Sequence, residues 1–113
     1  MRRTLARWAL AAIVAVAAQA QATMVVGTSL TITNYNVYDH NIGVVLRWSG
    51  GAITGCGDGA WIPTTSAAFK NLYATLMLAK ATGNTVTLYL DNDPTTMWPG
   101  GGTYCKVIAI IVE

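Results

Sequence analysis

Apolar residues at helical spacing identify one segment of the chain as a helix. Between residues 64 and 83 they recur three and four positions apart, so that they share one face of an α-helix: Phe69, Leu72, Tyr73, Leu76 and Ala79. Hydroxyl residues at 64–66 are typical of a helix N-terminus, and Gly83 is typical of the left-handed residue that ends a helix. The pattern predicts one helix in the mature chain, over 64–83.

Alternation of apolar and polar residues predicts short strands before this helix. One covers residues 28–33, with Leu30 and Ile32 on its buried face. Another covers 42–48, where the residues that share the apolar face are Ile42, Val44, Leu46 and Trp48. The polar segment 34–41 between these strands is expected to be a turn.

The segments next to the helix are also predicted to be strands. A third strand starts at 52–53, is interrupted by the glycine-rich run 55–59 and resumes at 60–62, because glycine allows the backbone angles of a bulge. After the helix, residues 85–90 alternate, with inward side chains at Val86, Leu88 and Leu90. The segment 91–94 is predicted to be a turn, since Asp, Asn and Pro favour chain reversal and the pattern of a calcium loop is missing.

The last predicted strand, residues 104–113, is apolar on both faces. One face has Cys105, Val107, Ala109 and Ile111, and the other has Ile108, Ile110 and Val112. A strand with two apolar faces is covered on both of them. Either the helix and the opposite wall of the sheet cover it within one chain, or a second subunit covers part of its outer side; the sequence leaves both open.

This order of elements predicts the fold class. Three strands, one helix and two strands form the element order of the oligonucleotide/oligosaccharide-binding (OB) fold. We therefore expect a mainly β chain with one helix, an OB-fold-like five-stranded barrel in the order β-β-β-α-β-β. An open α+β sandwich with the same element order is the alternative.

The N-terminal segment has the pattern of an export signal. Arginines at 2, 3 and 7 precede an apolar run over 8–18, and Ala20-Gln21-Ala22 fits the small residues that signal peptidase accepts. The run is too short to cross a bilayer as a helix. We expect a signal peptide at 1–22, a domain at 23–113, a secreted or periplasmic location and no membrane span in the mature protein.

Removal of this segment changes the charge balance. The full chain has a formal net charge of +2, whereas residues 23–113 contain four basic and five acidic residues, which leaves −1. A nearly neutral domain lacks the basic surface that phosphate backbones require. We therefore expect no nucleic-acid partner.

The cysteines of the chain, Cys56 and Cys105, are expected to form a disulfide. Export places them in an oxidising compartment, and a small domain often needs such a cross-link. A reactive thiol pair or a metal-ligand pair is the weaker alternative, because the cysteines are far apart in sequence and His40 has no second histidine to accompany it. No metal and no cofactor are expected.

Aromatic and amide side chains supply the candidate ligand-binding surface. Sugar rings place their C–H faces on aromatic rings, and Asn, Asp, Ser and Thr bond their hydroxyl groups. Trp61 and Trp98 fit a packed core better, whereas the segment 35–40 is polar and fits a surface. The candidate ligand-binding residues are Tyr35, Asn36, Tyr38, Asp39 and Trp98.

The sequence offers little for catalysis, and we expect a binding domain that is not an enzyme. Glycoside hydrolysis requires two carboxylates at a defined separation, and two of the five acids in residues 23–113 share one loop. A nucleophile–histidine pair would have to use His40, which lies in the predicted turn.

Several motifs together resemble a known bacterial family. They are residues 55–63, 69–76, 79–89, 97–98 and 104–107. They resemble small exported proteins related to the binding (B) subunits of AB5 toxins, of the subtilase-cytotoxin and pertussis-like type, over roughly residues 56–113.

The resemblance implies an OB-type barrel, often a ring pentamer, that binds host-cell glycans and accompanies an enzymatic subunit. The sugar-contacting residues of the family lie largely in its N-terminal part and do not match this chain residue by residue, so none is transferred. A free-standing secreted domain that is structural or binds protein, without sugar recognition, is the alternative function.

Overall fold

The computed structural model describes residues 23–40 and 42–113, so the predicted signal peptide at 1–22 lies outside the described residues. The elements are β1 (Met24–Tyr38), β2 (Gly43–Ser49), β3 (Gly59–Pro63), α1 (Phe69–Thr82), β4 (Val86–Asp91), a 3₁₀ helix (Pro94–Thr96) and β5 (Tyr104–Val112). This confirms a mainly β chain with one α-helix in the described part, placed between the third and fourth strands. No helix in that part is long and apolar enough to span a membrane.

The five strands form one sheet that closes in a ring. They pair in the order β1-β2-β3-β5-β4, and β4 pairs back with β1. The β3–β5 pair is parallel and the other pairs are antiparallel. The open sandwich that shares this element order is therefore wrong.

β1 is much longer than predicted because it pairs with two different strands. Its first half pairs with β4 and its second half with β2. Leu30 and Ile32 are buried, as predicted, but residues 34–38 continue the strand where a turn was expected. The turn prediction followed from the polarity of this segment. Pairing with β2 overrides the low strand propensity of asparagine, since its side chains face solvent there.

A carboxylate joins β1 to β4 where the ring closes. The Ser29 N–H donates to Glu113 Oε1 over 3.0 Å, and the hydroxyl groups of Thr87 and Thr85 donate to the same carboxylate over 2.6 and 2.9 Å. These bonds lower the pKa of Glu113, and the bond from Thr87 is the largest cause. Ser29 lies in a register shift of β1 with φ 54°, so Glu113 holds an irregular part of the strand in place.

β3 is shorter than predicted. Residues 52–53 belong to no strand, although Ile53 is buried, and the strand consists of Gly59–Pro63 alone. The prediction from hydrophobicity was correct about burial and wrong about hydrogen bonding. Ile53 enters the core from a loop.

α1 begins later than predicted and ends where predicted. The first helical residue is Phe69, Ala68 is the N-cap, and no side chain caps the first turn. The hydroxyl of Ser66 instead accepts a hydrogen bond from the Ala68 N–H, in the turn before the helix. Gly83 is left-handed with φ 70°, and its N–H donates to the Ala79 carbonyl over 3.0 Å. The predicted inner face is confirmed, because its five members are buried or pack against the core: Phe69, Leu72, Tyr73, Leu76 and Ala79.

A bulge in β5 interrupts the predicted alternation. On β4, Tyr89 pairs with Ala109 and Leu90 pairs with Val107, so Ile108 has no partner there. A bulge of this kind adds one residue to one strand of a pair and bends that strand. The face assignment from the sequence therefore fails after Val107.

The residues that follow the bulge exchange their predicted faces. Ile110 and Val112 pack against the core, whereas Ile108 and Ile111 are 46% and 49% exposed. The prediction that Ile111 faces inward, and that Ile110 and Val112 face outward, is wrong. What remains outside is a smaller apolar surface than the sequence suggested.

The predicted disulfide is confirmed. Cys56 and Cys105 are bonded, with Cα atoms 5.4 Å apart, and both residues belong to the buried core. Cys56 lies in the loop before β3 and Cys105 in β5. The bond therefore fixes a glycine-rich loop to the sheet.

Candidate ligand-binding face

The second half of β1, together with β2, β3 and the start of β5, forms one continuous surface. One row of paired residues in these strands packs inward: Tyr35, Leu46, Ala60 and Cys105. Side chains alternate along a strand, so the neighbouring rows point outward. The side chains of these rows, which we call the outer face, are Asn34, Asn36, Tyr38, Val45, Arg47, Trp61, Tyr104 and Lys106, and of these Val45 is buried.

Three aromatic rings lie together at one end of the outer face, which we call the aromatic end. The ring of Trp98 is 5.5 Å from that of Tyr38 and 5.3 Å from that of Trp61, measured between centroids. Trp98 is only 7% exposed, whereas Tyr38 is 42% exposed. The indole N–H of Trp61 donates to the Thr96 carbonyl over 3.0 Å. Tyr38 is therefore an exposed ring with a rigid aromatic support behind it.

A glycine makes this arrangement possible. A Cβ at Gly43 would lie 2.8 Å from the Trp98 ring and 3.0 Å from the Trp61 ring. Real Cβ atoms do not approach other atoms so closely, so any side chain here would displace the indoles. Gly43 lets both tryptophans pack directly on the backbone of β2.

The structure brings together three of the five predicted ligand-binding residues. Asn36, Tyr38 and Trp98 form one group, and the Asn36 amide donates to the Tyr38 hydroxyl over 3.4 Å. Tyr35 instead faces the core and meets Tyr73 of α1 edge-on, with centroids 6.0 Å apart. Asp39 is fully exposed in the turn after β1, where its Oδ1 lies 3.1 Å from Nδ1 of His40.

The other end of the outer face is polar, and we call it the charged end. Arg47 donates a hydrogen bond to the Tyr104 hydroxyl, and its guanidinium carbon lies 5.4 Å from the centre of that ring. Cation and ring at this distance attract each other. The Tyr104 ring covers Gly59, where a Cβ would lie 3.2 Å from the ring and would overlap the Leu46 carbonyl oxygen.

Asp58 is the acidic member of the charged end. The N–H and the hydroxyl of Thr103 donate to its Oδ2 over 2.7 and 3.0 Å. These bonds, the backbone bond first, lower the pKa of Asp58, and the nearby charge of Arg47 adds to them. Asp58 is therefore an ionised carboxylate at neutral pH, and it ties the loop before β3 to the loop before β5.

An open cavity of about 480 Å³ adjoins the charged end. Its walls include Arg47, Trp48, Ala52, Ile53, Gly57 and Asp58. The Trp48 indole N–H donates to the Gly51 carbonyl over 2.9 Å, which fixes the ring at the cavity wall. No salt bridge joins Arg47 to Asp58 within the described part of the chain.

Sequence reasoning missed the charged end as a site. The alternation over 42–48 puts Arg47 on the polar side of its strand, opposite Leu46, and Asp58 lies within the glycine-rich run 55–59 that predicts a bulge. The available signal was an aspartate between two glycines, Gly57 and Gly59, because an acid in a glycine-rich loop often bonds backbone N–H groups. The pairing with Tyr104 spans 57 residues of sequence, which no local pattern reveals.

The comparisons with known proteins leave the family open. No protein-family model, curated protein or solved structure matches the chain. Among the described residues, no cluster of three or more His, Cys, Asp or Glu side chains could hold a metal ion. The expected relationship to toxin B subunits stays a prediction, and the geometry of the outer face carries the functional argument.

Proposed function

We propose that the mature chain is an exported, non-catalytic glycan-binding domain with the OB fold, and that the outer face is its binding surface. One observation carries this proposal. Tyr38 presents an exposed ring that buried Trp98 supports from behind, and the amide of Asn36 lies beside it. An aromatic platform with an adjacent amide offers a sugar both a stacking surface and a hydroxyl partner.

The topology supports the fold proposal. The strand order β1-β2-β3-β5-β4, the parallel β3–β5 pair and the position of α1 between β3 and β4 agree with a closed Greek-key barrel of the OB type. In that fold, ligands bind across the second and third strands between the β1–β2 and β4–β5 loops. Tyr38 ends β1 next to the first of these loops, and Trp98 lies in the second.

The composition of the outer face favours sugar over nucleic acid. Asn34 and Asn36 provide amides that both donate and accept, whereas Arg47 and Lys106 are the only cations on the face. A phosphate backbone requires many cations along its path. A ligand rich in hydroxyl groups suits this surface better.

A glycan array and two variants test the proposal. We expect the purified protein to be retained by at least one class of glycan, and Tyr38→Ala and Asn36→Ala to reduce that retention about tenfold, as the loss of a central aromatic or polar contact does. Asn71→Ala, an exposed amide on α1, is the matched control and should bind normally. Absence of retention on every glycan would favour the alternative, a free-standing structural or protein-binding domain.

The proposal extends to assembly with copies of the same chain, as the resemblance to B subunits implies. Met24 and Val26 of β1 and Ile108 and Ile111 of β5 are exposed on the two strands that flank β4, which leaves a strip with apolar side chains on either side of the β4 residues Thr87 and Tyr89. Such strips are uncommon on soluble monomers. A ring pentamer with an enzymatic subunit is the form that the resemblance predicts.

Sedimentation velocity at micromolar concentration tests the assembly. We expect Ile111→Lys to dissociate the oligomer, because a charge in the strip opposes its burial. Leu78→Lys, on the 55% exposed Leu78 of α1, is the control and should leave the sedimentation coefficient unchanged. A wild-type protein that sediments as a monomer would end this part of the proposal and leave glycan binding standing.

A further inference from the structure

The cavity at the charged end has two opposite charges in its wall. Arg47 and Asp58 both line it, and they form no salt bridge with each other. Arg47 uses one of its N–H groups on Tyr104, which leaves other donors for a ligand. Thr103 occupies Oδ2 of Asp58, and Oδ1 accepts no hydrogen bond from the described residues. The wall thus offers a charged donor and a charged acceptor.

This pair of charges selects against ligands with a net charge. Arg47 would attract an anionic ligand, but the Asp58 carboxylate would repel it. A cationic ligand would be attracted by Asp58 and repelled by Arg47. A neutral ligand with several hydroxyl groups avoids both conflicts, since each hydroxyl donates to a carboxylate or accepts from a guanidinium. The electrostatics of the cavity therefore favour a neutral polyol.

The rest of the wall fits the ring of such a ligand. Trp48 is fixed by its bond to Gly51, and Ala52, Ile53 and Gly57 add small or apolar surface. Small-molecule sites typically combine an apolar wall with a few polar groups in about 300–1,000 Å³. A volume of about 480 Å³ lies in this range.

We infer that this cavity is a subsite for one neutral hexose unit, with hydroxyl groups bonded to Asp58 and Arg47 and the ring against Trp48. This inference rests on the proposed glycan-binding function and adds the charge class of the sugar. The subsite lies at the opposite end of the outer face from Tyr38. The two ends can be tested separately.

NMR titration of the isotope-labelled protein measures the preference. The probes are the methyl glycosides of glucose, galactose and mannose, with sodium glucuronate as the anion and glucosamine hydrochloride as the cation. At least one neutral glycoside is expected to shift the signals of Asp58 and of the Trp48 indole, and to bind more tightly than either charged sugar. Tighter binding of glucuronate or of glucosamine at these signals would overturn the inference.

Charge-neutralising variants give a readout that a purely structural role would not change. Asp58→Asn should raise the affinity for glucuronate about threefold to fivefold, and Arg47→Gln should do the same for glucosamine, the effect expected of one exposed charge. Lys70→Gln removes a positive charge from the surface of α1 and should change neither affinity. If Asp58→Asn fails to fold, Arg47→Gln still decides the question. Equal affinities of the variants and the control for glucuronate and for glucosamine would refute the subsite.

The outcomes separate the two proposals. Retention on the array together with shifts only around Tyr38 would refute the subsite and keep glycan binding. Absence of both retention and shifts would refute both.

Discussion

The two ends of the outer face use the same backbone device for different chemistry. At each end an aromatic residue packs on a glycine of the sheet, Gly43 under Trp98 and Gly59 under Tyr104. At the aromatic end the second partner is another indole, Trp61, and Trp98 between the two is buried. At the charged end the partner is Arg47, and polar groups stay accessible. A glycine in a strand thus supplies the space at both ends, and the residue beside the ring decides whether the surface there is apolar or polar.

The ends also differ in what holds them, and removal of the disulfide should show this. Cys56 lies two residues before Asp58, and Cys105 directly follows Tyr104, so the bond anchors the charged end. With a sequence separation of 49, Cys56→Ser combined with Cys105→Ser should lower the free energy of unfolding by about 4 kcal/mol in the chain-entropy view. Urea denaturation measures the loss.

Hydrogen exchange locates the same change. In the double variant we expect the backbone N–H groups of Thr103 and Asp58 to exchange faster than in the wild type, and to be accelerated more than that of Trp61. The environment of Trp61 is fixed by the packing of the indoles. An equal acceleration at both ends would mean that the disulfide stabilises the whole sheet without distinction.

Substitution of the two glycines compares the ends directly. Gly59→Ala should lower the free energy of unfolding by about 3 kcal/mol, because φ is 143° and the new Cβ would overlap the Leu46 carbonyl oxygen. That oxygen belongs to the backbone and cannot move aside. Gly43→Ala should cost about 1–2 kcal/mol, since mainly side-chain rings must move. Chemical denaturation of both variants gives the order.

Gly101→Ala is the control for backbone strain alone. Gly101 has φ 103°, but a Cβ added there would meet no atom within 4 Å, so its substitution should cost about 1 kcal/mol. If Gly59→Ala lowers the free energy of unfolding no more than Gly101→Ala does, the close approach of Gly59 to β2 contributes nothing to the loss.

The smallest expected effect concerns the pH response of the charged end. The folded-state pKa of Asp58 is lowered by Thr103, so its contribution to stability is complete above the unfolded value of about 3.9 and is lost as pH falls through the lower folded value. Thr103→Val removes the hydroxyl bond and keeps the N–H bond. The carboxyl carbon of Asp58, followed by NMR, should therefore titrate at a higher pH in the variant. Identical curves would contradict this assignment of the cause.

The sequence predicted those elements whose periodicity continues without interruption. The inner face of α1 and the inward residues of β4 follow regular spacing, and both predictions are confirmed. Residues 34–38 and the end of β5 were assigned wrongly, because partner strands decide these cases: β2 extends β1, and the bulge at Ile108 shifts β5 relative to β4. Local patterns contain no information about pairing.

The candidate site also contains one group of residues that a local pattern can find and another that it cannot. Asn36 and Tyr38 are two residues apart on one strand, so a local pattern could place them together. Arg47, Asp58 and Tyr104 come from three segments, and only the closed sheet brings them to one end of the outer face. Their grouping depends on long-range pairing, which the order of residues does not show.

The bulge in β5 also bears on how the chain length can vary. Ile108 has no partner on β4, so its deletion would keep each β4–β5 pair and each inward side chain where it is. Deletion of one residue within 109–112 would instead exchange the buried and exposed side chains that follow it. Insertions and deletions among chains of this architecture are therefore expected at position 108, and a gap placed there in an alignment would mark a structural adjustment with the core unchanged.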